Sequence, residues 1–340
     1  MTIMQRINKT LDPKYLSQLA LPLVYNKSKY ISTDVEGKVL NPWWLTGLAD
    51  AESCFRIAIW RDNKSKTGWN VRAEFSIELH VKELALLKQI QNYFGCVGDI
   101  RNNKGNNSFV YTITKLKDIT GILIPHFEHY PMLTQKNSDF LLFKRIIELM
   151  KNKSHLTYAG LEEIVGIRAS LNKGLSDELK EAFPNHKQVD RPLVDLVQIP
   201  DPNWLVGFTD GEGCFHVRVR EDFTYKVGYQ VSLQFIITQH IRDIELINSL
   251  IDCFGPATGK IIVTKPYVRF FVSKFTDITE HIIPFFERYP LLSAKKADFI
   301  DFSKSALLIK TNAHRTQEGL EQIQLIKSGM NTGRKHNDIE

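Results

Sequence analysis

Two glutamates, Glu52 and Glu212, each lie near the end of a twelve-residue stretch that the 340-residue chain contains twice. The stretches cover residues 44–55 and 204–215, and seven of their twelve positions are identical. Two carboxylates can hold Mg²⁺, which acidifies bound water and neutralises charge on a phosphate. Paired glutamates could therefore support phosphodiester hydrolysis, provided that the fold brings the two stretches together.

The residues around each glutamate predict a helix that packs closely against its copy. Asn41-Pro42 and Asp201-Pro202 precede the stretches; Asn or Asp can cap free amides, and Pro is tolerated at the first helical position. Small residues four positions apart would let two helix backbones approach each other. These residues are Gly47, Ala51, Gly207 and Gly211. Packed helices would bring both glutamates to the same end of one seam.

The chain after each stretch repeats one order of elements, which indicates a tandem duplication. Two alternating strands, an amphipathic helix, two shorter strands and further helices follow in both halves. Residues 116–143 match residues 275–302 at 14 of 28 positions. The pattern predicts an α+β fold of two pseudo-symmetric αββαββα units. The predicted units are residues 41–174 and 201–334, with a linker at 175–200, an N-terminal extension at 1–40 and a tail at 335–340.

Each predicted antiparallel sheet has one apolar face, which helices must cover, and one polar face that stays open. Side chains on such a face can hydrogen-bond base edges and phosphates, although an ordinary solvated face is the alternative. The candidate DNA-contacting residues are Arg56, Trp60, Asn70, Arg72 and Ser76 in the first unit, and His216, Arg218, Arg220, Gln230, Ser232, Gln234, Thr238, Lys260 and Arg269 in the second. Glu74 and Glu78 beside these arginines fit contacts to cytosine or plain solvation.

The composition is compatible with a nucleic-acid partner and argues against several other classes. The chain has 44 Lys and Arg against 38 Asp and Glu, a net charge of +6. Four cysteines show no CxxC spacing, which argues against a zinc site or a disulfide framework. No apolar run approaches the roughly 18 residues that a membrane helix needs.

The repeated stretch resembles the LAGLIDADG motif of homing endonucleases, in the single-chain form that carries two copies. Residues 45–53 and 205–213 occupy its nine positions. Two buried helix ends with incidental carboxylates are the alternative interpretation. The resemblance implies a monomer in which both sheets form a saddle over double-stranded DNA, with the motif helices at its centre. It also implies site-specific cleavage of both strands across the minor groove, which leaves 3′ overhangs.

The resemblance also assigns roles to individual residues. Glu52 and Glu212 would be catalytic and would bind Mg²⁺ or another divalent cation, together with the backbone carbonyls of Ala51 and Gly211. Ca²⁺ would occupy the same site without cleavage. Two carboxylates forced together also predict raised pKa values in the absence of a cation.

Three further side chains resemble residues near the scissile phosphates in this family. Lys136 and Lys295 occupy equivalent positions in the repeats, with ordinary solvated lysines as the alternative. Gln239 resembles a residue that orders water, but its counterpart in the first unit is Leu79. The two scissile phosphates are therefore expected to have different environments.

A few positions depart from a simple motif reading. Ser53 stands where the motif has Gly, and it would cost of the order of 1 kcal/mol if the position needs a positive φ. His126 and His129 suggest a metal cluster, but the second unit retains neither, so this segment is interpreted as helix surface. Asp50 and Asp210 precede the glutamates by two positions and should face elsewhere, in a structural or capping role.

Two rival functions use the same fold. One is an RNA maturase that assists group I intron splicing, for which intron RNA would be a partner. The other is a DNA-binding protein that does not cleave. Both would tolerate loss of the glutamates, so the intact pair favours cleavage. Because the family is typically encoded in organellar introns, we expect a mitochondrial location, with the chloroplast as the alternative.

Overall fold

The structure, a computed structural model, describes residues 40–194, 198–255 and 257–334. The predicted extension at 1–40, apart from Leu40, and the predicted tail at 335–340 lie outside these residues. Within the described ranges, every helix is too short or too polar to cross a membrane.

The first unit has the predicted order of elements. Its helices and strands are α1 (Pro42–Glu52), β1 (Ser53–Arg61), β2 (Trp69–His80), α2 (Leu84–Tyr93), β3 (Asp99–Asn103), β4 (Ser108–Ile113), α3 (Leu116–Asp118), α4 (Ile124–His129), α5 (Lys136–Lys151) and α6 (Tyr158–Arg168). A π-helical turn, Ile119–Leu123, joins α3 to α4. The segment after α6 adds a short helix, α7 (Asp177–Ala182).

The second unit repeats this order almost residue for residue. Its elements are α8 (Pro202–Glu212), β5 (Gly213–Glu221), β6 (Tyr229–His240), α9 (Ile244–Phe254), β7 (Lys260–Thr264), β8 (Tyr267–Val272), α10 (Phe275–Asp277), α11 (Ile283–Arg288), α12 (Lys295–Lys310) and α13 (Gln317–Ser328). Four-stranded antiparallel sheets with orders β1-β2-β4-β3 and β5-β6-β8-β7 confirm the predicted α+β fold.

Each sheet buries one face, as the alternating sequence predicts. Phe55 and Phe75 are paired across β1 and β2, and both are fully buried. Phe215 and Phe235 repeat this pair in the second sheet. The rings pack against phenylalanines of the covering helices, at centroid distances of 5.3 to 5.6 Å for Phe55. One face of each sheet is thereby closed, and the other is left open.

The two motif helices, α1 and α8, pack against each other along their whole length. A Cβ on Gly47 would overlap the carbonyl oxygen of Trp204, and one on Gly207 would overlap that of Trp44. No side chain larger than hydrogen fits at either glycine, so the helix backbones are in direct contact. Asn41 and Asp201 cap the two helices by accepting backbone N–H groups, as predicted.

The segment after Gly174 packs against the first unit. Leu175, Leu179 and Phe183 form a small buried cluster with Trp69 and its neighbours. Arg191 then binds Asp139 at 2.8 Å, inside the first unit. The first part of the predicted linker at 175–200 therefore packs beside the first sheet, and a later part binds the helix α5.

The condition attached to the expected cost of Ser53 is not met, and the expectation for His126 was wrong. Ser53 has φ −89° and Gly213 has φ −78°, so this motif position needs no left-handed backbone and Ser is not strained. His126 is buried, and its ring bonds Thr46 Oγ1 at 3.2 Å and the Tyr93 hydroxyl at 3.0 Å. Burial lowers the pKa of His126 to about 3, so it is a neutral core residue and not helix surface.

Candidate active site

Glu52 and Glu212 are the last residues of α1 and α8, and the seam between these helices brings them together. Glu52 Oε1 lies 3.3 Å from the point where a Cβ on Gly211 would stand. The carboxylate of the first unit thus rests against the helix end of the second. The juxtaposition that the repeat predicts is present, and the role of the pair stays a prediction.

The pair is an unfavourable place for two negative charges. Burial raises the pKa of Glu52 and of Glu212, and the charge of Glu52 raises that of Glu212 further. The positive charges of Lys136 and Lys295 act in the opposite direction. The pKa shifts have the expected direction, but their largest cause is burial and not the mutual repulsion from which they were predicted.

Lys136 and Lys295 are the first residues of α5 and α12, and their ammonium groups reach the ends of the motif helices. Burial lowers the pKa of both lysines. Carbonyls at a helix C-terminus carry partial negative charge, which favours a cation at this position. The acceptors are the carbonyl oxygens of Ala49 (3.0 Å) and Ala51 (3.1 Å) for Lys136, and of Thr209 (2.9 Å) and Gly211 (2.8 Å) for Lys295.

The two glutamates have different neighbours on the adjacent strands. Gln239 Nε2 donates to Glu212 Oε1 at 3.3 Å. The equivalent residue in the first unit, Leu79, is packed against the core and has no polar group to donate. The structure therefore places an amide beside one carboxylate and an aliphatic side chain at the matching position of the other unit.

Asp50 and Asp210 are buried and hold the two units together. Asp50 Oδ2 accepts from Trp204 Nε1 at 2.8 Å, and Asp210 Oδ2 accepts from Trp44 Nε1 at 2.8 Å. Each aspartate also accepts three bonds from the loop that leads into its own lysine helix, α5 or α12. The predicted structural role is observed, and it connects the motif helices to the lysines.

The open face of the second sheet is basic. Among the described residues, β5–β8 place four bases and no carboxylate on this face. The bases are Arg218, Arg220, Lys260 and Arg269. The other candidates on the same face are His216, Gln230, Ser232, Gln234 and Thr238. Arg220 bonds the side chain of Gln230 at 3.0 Å, and Lys260 Nζ lies 5.6 Å from the ring centroid of Phe271.

The open face of the first sheet has balanced charge. Among the described residues, β1–β4 place Arg56, Arg72 and Arg101 on this face, beside Glu74, Glu78 and Asp99. Glu74 lies 3.7 Å from the Arg56 guanidinium and 4.0 Å from that of Arg72. Arg72 also lies 5.5 Å from the ring centroid of Trp60. The remaining candidates, Asn70 and Ser76, share this face.

The donor set at the seam fits a cation that keeps part of its water shell. Among the described residues, no cluster of three or more His, Cys, Asp or Glu side chains could hold a metal ion. The candidate ligands are therefore this pair of carboxylates. The carbonyls of Ala51 and Gly211 already accept from the lysines. Mg²⁺ is usually bound through one or two carboxylates, with waters and substrate phosphates as its other ligands. Glu52 and Glu212 supply such a set.

Comparisons with known proteins agree with this geometry. The model of the LAGLIDADG endonuclease family matches residues 45–147 and 205–306. The chain belongs to the LAGLIDADG endonuclease family. "Probable intron-encoded endonuclease 3" of Neurospora crassa is 39% identical over 290 residues, which are 84% of this chain and 54% of that relative. The chain thus spans about half the length of this curated relative.

Solved LAGLIDADG structures are similar over nearly their whole length. I-SmaMI bound to cleaved DNA is 43% identical, with a TM-score of 0.85 over 87% of this chain and 98% of that one. I-SmaMI bound to uncleaved DNA with calcium ions is 43% identical, with a TM-score of 0.84 over 86% of this chain and 100% of that one. Variants of I-SmaMI have alanine at two lysines, separated by as many positions as Lys136 and Lys295 are here.

Some residues of the site were missed in the sequence. Trp44 and Trp204 are the first residues of the two repeated stretches, but their bonds to the opposite aspartates need a contact between units that no local pattern shows. Glu83 and Asp243, described below, were also missed. An acidic residue at the same position of both repeats was the available signal for them.

Proposed function

We propose that this protein is a site-specific DNA endonuclease that acts as a monomer on double-stranded DNA. It cuts both strands across the minor groove, leaves 3′ overhangs, and serves the homing of the intron that encodes it. The observation that carries this proposal is the meeting of Glu52 and Glu212 at the seam, each beside a half-buried lysine. Neither an RNA maturase nor a non-cleaving DNA-binding protein requires this arrangement.

The two glutamates have the central part in the proposed reaction. A divalent cation, Mg²⁺ in the cell, would supply a hydroxide-like water and charge neutralisation on the phosphate. Glu52 and Glu212 would hold it, with phosphate oxygens and waters as the remaining ligands, and Ca²⁺ would be held without cleavage. Because the pKa values of both glutamates are raised, part of the free energy of cation binding would be used to ionise them.

The neighbouring side chains act on the phosphate and on water. The ammonium groups of Lys136 and Lys295 stand beside the glutamates, where they stabilise negative charge that develops on a phosphate. The Gln239 amide bonds Glu212 and orients a water on that side. Leu79 leaves the other side without such a donor, so the two strands are cut in different surroundings.

The open sheet faces bind the DNA on either side of the seam. Arg218, Arg220, Lys260 and Arg269 neutralise phosphates or read guanine, and the amides and hydroxyls of the same face read other base edges. The first face, with paired Arg and Glu, reads bases with little net attraction for phosphate. We place this activity in the mitochondrion, where introns of this class are expected.

Cleavage of a target duplex with and without metal tests the proposal. The target is selected by the protein from a randomised duplex library in Mg²⁺. EDTA should abolish cleavage and leave DNA binding measurable, and added Mg²⁺ should restore cutting with 3′ overhangs. Binding in Ca²⁺ without cutting is expected as well. Full cleavage in EDTA would rule out the assigned role of the two glutamates.

A further inference from the structure

Two acidic side chains reach across the molecule to the helices that begin with the lysines. Asp243, from the turn after β6 in the second unit, accepts the backbone N–H of Gln135 at 2.6 Å. Glu83, from the turn after β2 in the first unit, accepts the N–H of Ala294 at 2.9 Å through Oε1 and at 3.2 Å through Oε2. Glu83 and Asp243 occupy equivalent positions, so the exchange is reciprocal.

Gln135 and Ala294 are the N-cap residues of α5 and α12. Neither of their side chains caps its own helix. The first residue of each helix, Lys136 or Lys295, follows directly. A carboxylate at a helix N-terminus binds free N–H groups and is favoured by the helix dipole. Each lysine helix therefore starts at a point fixed by the opposite unit.

The same short loops are held a second time from within their own unit. Asp50 bonds Leu133 and Thr134 ahead of Lys136, and Asp210 bonds Leu292 and Ser293 ahead of Lys295. Burial raises the pKa of Glu83 and of Asp243, since both carboxylates are largely withdrawn from water. Burying a carboxylate costs free energy unless it is hydrogen-bonded, and both carboxylates are hydrogen-bonded to the N–H groups of Gln135 and Ala294.

We propose that Asp243 positions Lys136, and Glu83 positions Lys295, so that cleavage of each DNA strand depends on a residue from the opposite unit. This inference rests on the proposed nuclease function. The carboxylate fixes the start of the helix, the first helical residue is the lysine, and the lysine ammonium lies at the end of the motif helix. Displacing the helix start would move the ammonium away from the phosphate without touching the DNA-binding faces.

Single-turnover cleavage of the selected duplex, with a different label on each strand, tests this. Lys136→Met should slow the cleavage of one DNA strand, and Lys295→Met should slow the cleavage of the other. Asp243→Ala should slow the strand that Lys136→Met slows, by about fivefold more than the other strand, as the loss of one cap implies. Glu83→Ala should slow the strand that Lys295→Met slows. DNA affinity in Ca²⁺ should stay at the parent value.

Matched variants separate positioning from general destabilisation. Asp243→Asn and Glu83→Gln keep an acceptor oxygen and should restore both strand rates to near the parent values. Thr316→Ala removes an ordinary N-cap, that of α13, and should slow neither strand selectively. If Asp243→Ala does not fold, the half-buried Glu83 gives the same comparison from the other side.

Three outcomes would overturn the inference. The first is an equal effect of Asp243→Ala or Glu83→Ala on both DNA strands. The second is a selective effect of Asp243→Ala on the strand that Lys295→Met slows, or of Glu83→Ala on the strand that Lys136→Met slows. The third is the absence of strand bias in the lysine variants themselves. A parent protein that cuts no duplex of the library overturns the proposed function instead, so the two failures are distinguishable.

Discussion

The two units share their chemical groups but differ in what surrounds them. Each supplies one glutamate, one lysine and one buried aspartate at equivalent positions. The first unit has Leu79 at the position of Gln239 and a sheet face with as many acids as bases, whereas the second has the amide and a basic face. The duplicated units thus retain the residues to which we assign the reaction, and they differ in the residues that we propose to contact the two halves of a DNA site.

The units also differ at the start of their first strands, where one has Ser53 and the other Gly213, and a second difference, at Ala49 and Thr209, compensates for this one. The γ-methyl of Thr209 stands where a side chain at Gly213 would begin. The first unit has Ala49 in place of this Thr, and Ser53 fills the space and donates its hydroxyl to the Ala49 carbonyl at 2.6 Å. The departure of Ser53 from the motif is thus one half of an exchanged pair, and it carries no penalty for the backbone.

The largest expected effect comes from removing the negative charge of Glu52 or of Glu212. Glu52→Gln and Glu212→Gln should each slow linearisation of a supercoiled plasmid bearing the selected target by roughly a hundredfold or more. Both variants should still bind the DNA, and one can accumulate nicked circles because the neighbours Leu79 and Gln239 differ. If both variants linearise the plasmid at the parent rate, these glutamates are not the active site.

The same glutamine variants should raise stability in the absence of metal. Because burial raises the pKa of Glu212, the folded state prefers the protonated carboxyl. Its contribution to stability is present below the unfolded-state pKa of about 4.3 and is lost as pH rises through the folded-state pKa. In EDTA the Tm of Glu212→Gln should exceed that of the parent at neutral pH, and the gap should close on acidification. A gap independent of pH contradicts this.

Local patterns in the sequence predict much of this site. The repeat spacing predicts the seam, and the alternation in 53–61 and 213–221 predicts which side chains are on the open faces. The bonds from Glu83 and Asp243 could not be predicted, because each joins residues over 100 positions apart across the two units. The burial of His126 was missed because its partner Thr46 lies 80 positions away, on the motif helix of the same unit.

The exchanged pair at the strand start predicts an intermediate effect. Gly213→Ser should destabilise the protein by about 1–3 kcal/mol, because its Cβ collides with Thr209. Thr209→Ala in the same chain should recover most of this loss, since it recreates the arrangement of Ala49 and Ser53. Urea unfolding of the two single variants and the double variant measures the coupling.

Ser53→Gly is the matched control for that cycle. It removes a hydroxyl bond but creates no collision, so it should cost less than Gly213→Ser. Additive effects of Gly213→Ser and Thr209→Ala would show that the two residues do not share space in solution.

The last comparison takes one arginine from each open face. Arg218 lies on a face to which the described strands β5–β8 contribute no carboxylate, although Asp222 after β5 binds Arg220 at 3.2 Å, whereas Arg72 lies 4.0 Å from Glu74. Arg218→Ala should weaken binding by about 1–3 kcal/mol if it reads a base, or lower the salt slope by about one if it contacts a phosphate. Arg72→Ala should change the salt slope less, because Glu74 already offsets its charge. Titrations of labelled duplex in Ca²⁺ at several salt concentrations measure both, with Arg315→Ala, in the turn between α12 and α13, as the control for net charge. Equal salt slopes for the two sheet variants would show that the charge difference between the faces does not reach the DNA.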